Sequence, residues 1–219
     1  NLSSRLVLDY AFAEDAMVYF SYATGYKAGG FNSTQPGKPF DEEQVGNLEL
    51  GLKSTWLDSR LRFNAAVFSY EYEDLQEYVQ VNDPSSGVSR ALIRNQDAKG
   101  KGVEMDLTWA ASEHLTLSAN YSYLDTEVTD YELLESETEA DNREGEGLVN
   151  AAKNSYNIGA EYRFPLGASG ELSLRMDYSY VGRREIAPIT SGDPAAQSLV
   201  DQYVDDLTDP YNNLSARVT

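Results

Sequence analysis

Cysteine is absent from these 219 residues and histidine occurs once, which removes disulfide frameworks, thiol nucleophiles and almost every zinc site from consideration. No apolar run approaches the roughly 18 residues a membrane-spanning helix needs. Hydrophobic residues make up 41% of the chain, and mean hydropathy is -0.50. A barrel span stays open, because its apolar side chains alternate with polar ones and keep the average low. Basic side chains are few, 17 against 36 acidic, for a net charge of -19. Repulsion of that size argues against nucleic acid as a partner. No secretory leader is visible at Asn1-Leu2-Ser3, and the run from Asn213 to Thr219 reads as a strand halted in mid-course. Both ends are therefore expected to be cut.

Tyrosine is abundant, with 16 copies against 7 phenylalanines and 2 tryptophans. A membrane interface gives each ring an apolar seat and a wet hydroxyl. The plainer alternative is a tyrosine-rich soluble β-protein.

Period-two alternation recurs throughout and predicts nine strands and no helix. Leu6, Leu8, Tyr10 and Phe12 open the series, followed by Val18, Phe20 and Tyr22, then Leu48, Leu50 and Leu52 up to Trp56. Leu61, Phe63, Ala65 and Val67 come next, and the phase blurs through Tyr70, Tyr72 and Tyr78, which predicts a bulge or register shift. Val103 to Trp109, Leu115 to Tyr123, Tyr156 to Phe164 and Leu172 to Tyr180 supply four more, and a last strand begins around Tyr211.

Short turns at Glu14-Asp15, Leu57-Asp58-Ser59, Ala111-Ser112-Glu113 and Pro165-Leu166-Gly167 alternate with long connections at about 30–44, 82–89, 130–152 and 186–210. An antiparallel meander with tight turns at one end and long loops at the other is what an outer-membrane barrel requires, the long loops lying outside the cell. The polar face repeatedly carries charge: Glu49, Lys53, Arg60, Arg62, Glu104, Asp106, Glu161, Arg163, Arg175 and Asp177. Mixed signs there fit a hydrated lumen, and the solvated outer face of a soluble sandwich gives the same pattern. Aromatic ends on the apolar stripes, at Tyr22, Trp56, Trp109, Tyr123, Tyr162 and Tyr180, favour the membrane. The fold class expected is all-β, a transmembrane antiparallel barrel fragment.

Met17 to Asn32, reading Met-Val-Tyr-Phe-Ser-Tyr-Ala-Thr-Gly-Tyr-Lys-Ala-Gly-Gly-Phe-Asn, resembles a signature stretch in the barrel of TonB-dependent outer-membrane receptors. So do Glu49 to Trp56, Arg60 to Phe68 and Tyr72 to Gln76. Asn95 to Gly100 followed by Gly102-Val103-Glu104 is similar to the family's asparagine–glycine passage into a strand, and Asn212 to Arg217 to the strand opening its final three. The ordered combination, over nearly the whole chain, makes the resemblance specific. Asn150 to Asn154 departs from it, since relatives commonly carry a proline there. The resemblance implies a partial barrel over residues 1–219, about strands 12 to 20 of roughly 22, lacking the plug and TonB box. It implies energised uptake, most commonly of a ferric siderophore, driven by TonB, ExbB and ExbD through the plug. A passive porin and a secreted β-rich binding or adhesion module are the alternatives.

Nothing resembles an active site, and no cofactor or metal is implied. His114 falls in a short turn and reads as an exposed turn residue; Gly25, Gly29 and Gly30 lack the strand–turn–helix of a phosphate loop and read as a rim bend. Candidate substrate contacts at the rim are Tyr26, Lys27, Phe31, Asn32, Arg90, Arg94, Arg183 and Arg184. Arginine and tyrosine suit an anionic aromatic iron chelate, and contact with lipopolysaccharide phosphates or plain solvation of the rim fits them equally. Asp125 to Glu146 holds ten acidic residues against Arg143 alone. It has no EF-hand spacing and reads as a solvated loop rather than a calcium site.

Overall fold

A computed structural model describes residues 2–33, 37–82, 89–133, 142–185 and 207–219. Nine strands form one sheet: β1 (Arg5–Ala13), β2 (Ala16–Lys27), β5 (Glu43–Trp56), β6 (Leu61–Asn82), β7 (Ser89–Ala110), β8 (Leu115–Tyr131), β9 (Asn154–Pro165), β10 (Glu171–Val181) and β13 (Tyr211–Val218). They are neighbours in that order, and every pair is antiparallel. Two small hairpins sit in the long connections: β3 (Gly30–Phe31) with β4 (Pro39–Phe40), and β11 (Arg184–Glu185) with β12 (Leu207–Thr208).

The expected meander is observed, with short turns at one end only. Leu57, Asp58 and Ser59 all take positive φ, and Arg60 N–H closes the turn on the Leu57 carbonyl at 3.2 Å. At the next turn Ser112 Oγ accepts from the backbone N–H of His114 and Leu115. His114 is thus a turn residue, its ring 6.2 Å from that of Tyr162.

Register aligns the apolar residues into rows across the sheet. One row joins Phe20, Leu50, Val67, Val103 and Tyr123; another joins Trp56, Leu61, Trp109 and Leu117. Phe20, Leu50, Val67, Trp56 and Trp109 among them are exposed, Leu50 at 54% and Val67 at 49%, and the others are half-buried. A soluble sheet would cover them against a second layer; a barrel wall turns them to lipid.

The strands run further than apolar alternation alone suggests. β6 and β7 have 22 residues each. The Asn95–Gly100 passage therefore lies inside β7, and Asp125, Glu127 and Asp130 lie on β8 rather than in a loop. Above the apolar band both faces of a strand are wet, so pairing continues without a period-two signal. The predicted irregularity is present: register shifts between Tyr72 and Leu75, where Asp74 takes φ 55°.

The tightest burial lies beyond the band, at the long-loop end. Ala98 and Val128 are each 1% exposed, and Leu92, Arg94, Gln96, Tyr131 and Arg143 are also buried. Residues 142–149 fold back on β8, with Val128 N–H donating to the Glu146 carbonyl and Gly145 N–H to the Val128 carbonyl.

Candidate ligand-facing wall and outer rim

Nine of the ten charged residues singled out above share one side of the sheet, opposite the apolar rows; Arg60 does not, because it precedes β6 and lies in the turn. Register places Lys53 in line with Asn64, Asp106, Asn120, Asn157 and Ser179. This row borders a hollow of about 600 Å³, together with Tyr19, Glu104, Ser122 and Ser155. The Tyr19 hydroxyl donates to Glu49 at 2.7 Å, and Lys53 Nζ stands 5.3 Å from the same ring. That ring lies across Gly51, where a Cβ would meet it at 2.3 Å.

Nearer the short turns the charges pair among themselves. Arg163 meets Glu161 at 2.8 Å; Arg175 grips Asp177 at 2.6 and 2.8 Å and reaches Glu161 at 3.7 Å. Arg62 lies 3.7 Å from Asp106. Arg60 sits in the turn and spends its guanidinium on the carbonyls of Ala110 and Ala111.

The rim candidates divide. Tyr26 shares the apolar face with Phe20 and Tyr22, whereas Lys27, next along β2, falls on the charged face. Phe31 is 75% exposed. Asn32 is buried and clamps β7, its amide donating to the Ile93 carbonyl at 2.9 Å while accepting from Ile93 N–H at 2.7 Å. Arg90 lies on β7 paired with Val81. Arg183 is exposed, 3.8 Å from Asp209, and Arg184 packs over Tyr211.

Arg94 is buried. It bonds Glu77 at 3.1 Å, lies 3.9 Å over the Tyr131 ring and hydrogen-bonds that tyrosine's hydroxyl. Glu77 also faces Arg143 at 3.5 Å, and Arg143 bonds Glu146 at 2.8 Å. A half-buried carboxylate between two buried guanidiniums thus ties β6, β7 and the segment after β8 together. The sequence reading missed Glu77 and Arg143 as partners. The lone basic residue in an acidic stretch was the available signal.

A second tie joins the β2–β5 connection to β6 and β7. Asp41 N–H donates to Asn95 Oδ1 at 2.7 Å, and the Asn95 amide donates to the carbonyls of Asp41 and Asp74. Gln76 donates to the carbonyls of Ala28 and Asp41 at 3.0 Å. Asp74 sits amid Asp41, Asp97, Glu73 and Asp130, and burial foremost, then their repulsion, raises its carboxyl above the ordinary range. Gly29 is needed where this loop closes, because a Cβ would meet the Phe40 carbonyl at 2.6 Å. Among the described residues no three His, Cys, Asp or Glu side chains group as a metal site. Glu135, Glu137, Glu139 and Asp141 of the acidic stretch lie outside the described residues.

With wall and rim in place, the TonB dependent receptor-like, beta-barrel family matches residues 1–219. The chain belongs to that family. The ferric-pyoverdine 358 receptor of Pseudomonas putida is 31% identical over 121 residues, 55% of this chain and 15% of that protein. The metal-pseudopaline receptor CntO of Pseudomonas aeruginosa is 26% identical over 180 residues, 82% of this chain and 23% of that protein. The solved ferric yersiniabactin uptake receptor FyuA of Yersinia pestis superposes with a TM-score of 0.70 at 20% identity, over 98% of this chain and 29% of that one. The chain thus spans under a third of the length of these relatives. It is an arc of a TonB-dependent receptor barrel, and its place is the outer membrane.

Proposed function

We propose that this arc forms part of the wall and outer rim of an energised importer, and that the cargo is a ferric siderophore. The observation that carries the cargo is the pair of relatives named above, receptors for ferric-pyoverdine and for metal-pseudopaline. The face bearing Glu49, Lys53, Arg62, Glu104, Asp106, Glu161, Arg163, Arg175 and Asp177 lines the lumen, with Arg60 at its inner mouth. Its charges are hydrated, paired along the wall, or set against a plug on which TonB, ExbB and ExbD act. Lys27, Phe31, Arg183 and Arg184 are the rim residues left to meet a chelate, by charge-assisted bonds and stacking; the side chain of Arg90, the other candidate, lies outside the described residues.

Uptake of iron-labelled siderophores by cells carrying the full-length protein tests this. Accumulation that stops with a protonophore or on loss of TonB is expected. Entry that persists without TonB would support a passive porin instead.

A further inference from the structure

On the charged face of β2, β5, β6 and β7 three aromatic rings each lie across a glycine of the neighbouring strand. Tyr19 lies over Gly51, Phe68 over Gly102 and Tyr70 over Gly100, every ring above its own register partner. All three lean the same way, toward the strand that follows in the sheet. Ring atoms stand where a Cβ would stand, so each ring folds down only because its partner has none. The Tyr19 hydroxyl is pinned by its bond to Glu49 at 2.7 Å. The Phe68 and Tyr70 rings keep within 7° of parallel, 6.2 Å apart.

The backbone does not require these glycines. All three lie inside strands, and none of them has positive φ. A glycine within a strand weakens it, since it gives up more freedom on folding and has no side chain to pack. What each supplies is room for a ring. Tyr19 borders the hollow of about 600 Å³, and the Phe68 and Tyr70 pairs occupy the next two inward-facing rows above it. Lys27 of the rim stands on the same face of β2, two inward-facing positions above the row of Tyr70. The rings therefore lie between rim and hollow, where a ring held upright would project into the bore. We propose that these three ring–glycine pairs set the clearance of the bore along this arc, and with it the bulk of cargo that passes from rim to hollow. The assignment rests on this face lining the lumen of an importer. A ring over a glycine also steadies paired strands, and the two roles part in what one added methyl does to transport.

The test uses cells carrying the full-length receptor and iron-labelled pyoverdine, bare or coupled to inert groups of increasing bulk. Affinity is measured in cells lacking TonB, initial uptake rate in cells that have it, and gel mobility before and after heating counts the folded receptor to which rates are referred. Gly51→Ala and Gly100→Ala should leave affinity unchanged. Each should slow uptake of the bulkiest conjugate by about tenfold, the rate equivalent of one overpacked methyl, and uptake of the bare probe least. Adding Tyr70→Ala to Gly100→Ala removes the raised ring and should restore the rate. Equal slowing of all probes, affinity falling in step with rate, or a double variant as slow as Gly100→Ala would overturn the assignment. Absence of TonB-dependent uptake of the bare probe by the natural receptor would instead sink the importer reading beneath it.

Discussion

Glu77 holds two guanidiniums that would otherwise repel each other in a site where Arg94 and Arg143 side chains are each 6% exposed. Breaking a buried ion pair by removing one partner costs about 3–5 kcal/mol. Glu77→Gln should therefore open the outer module locally. The expected readout is a fall of about 100-fold or more in hydrogen-exchange protection for amides around Val128 and Glu146, with the band strands unchanged. Undiminished protection would show that the cluster does not hold the loop. Asp74 acts the other way. Its carboxyl is pushed up chiefly by burial, so the folded state binds the proton more tightly than the unfolded chain. Stability at this site is fullest below the ordinary carboxylate range and falls as pH rises through the raised folded value. Asp74→Asn, which keeps a residue tolerant of φ 55°, should raise protection of residues 28–33 and 37–42 at pH near 7. The gain should vanish at pH near 4.

Two glycines of β7 show how one strand disciplines its neighbours. At Gly100 an added Cβ would meet the Tyr70 ring at 2.3 Å; at Gly102 it would meet the Phe68 ring at 2.5 Å and the Tyr123 carbonyl at 2.4 Å. A ring can turn aside and a paired backbone carbonyl cannot. Gly102→Ala should consequently cost more than Gly100→Ala, in the range of about 1–3 kcal/mol typical of overpacking. The folded fraction of the full-length protein after heating, read from gel mobility, should rank the two in that order. The same strands explain why sequence alternation understated their length. Beyond Val103 and Tyr123, pairs such as Lys99 with Glu127 and Lys101 with Asp125 replace apolar contacts, and no face is left dry enough to impose a pattern.

For the whole molecule the open edges decide. β1 and β13 end the sheet, and both are exposed along their length. Unpaired backbone groups in hydrocarbon cost several kcal/mol each, so this arc needs further strands on both sides. Residues 1–219 expressed alone should aggregate or fail to insert, while the full-length protein should give a heat-resistant barrel. A discrete β-rich monomer of residues 1–219 in micelles would contradict this. The absence of native cysteine allows a direct check of the faces. Single cysteines at Leu117 and Leu174 should resist aqueous thiol reagents in membranes, and those at Glu104 and Arg175 should react.

By itself the sequence determined the meander, the two faces and the polarity of the barrel, because a strand half in lipid and half in water writes a period of two into its residues. Short and long connections followed from the same logic, and the blurred phase after Phe68 marked the bulge. Only the tertiary structure decided the rim. Asn32 clamps Ile93, and Arg94 is sunk against Glu77. These outcomes rest on contacts between segments 17 to 66 residues apart in the chain, such as Glu77 with Arg94 or with Arg143. No local pattern encodes them, since where both faces are wet a buried arginine and a solvated one are written with the same letter.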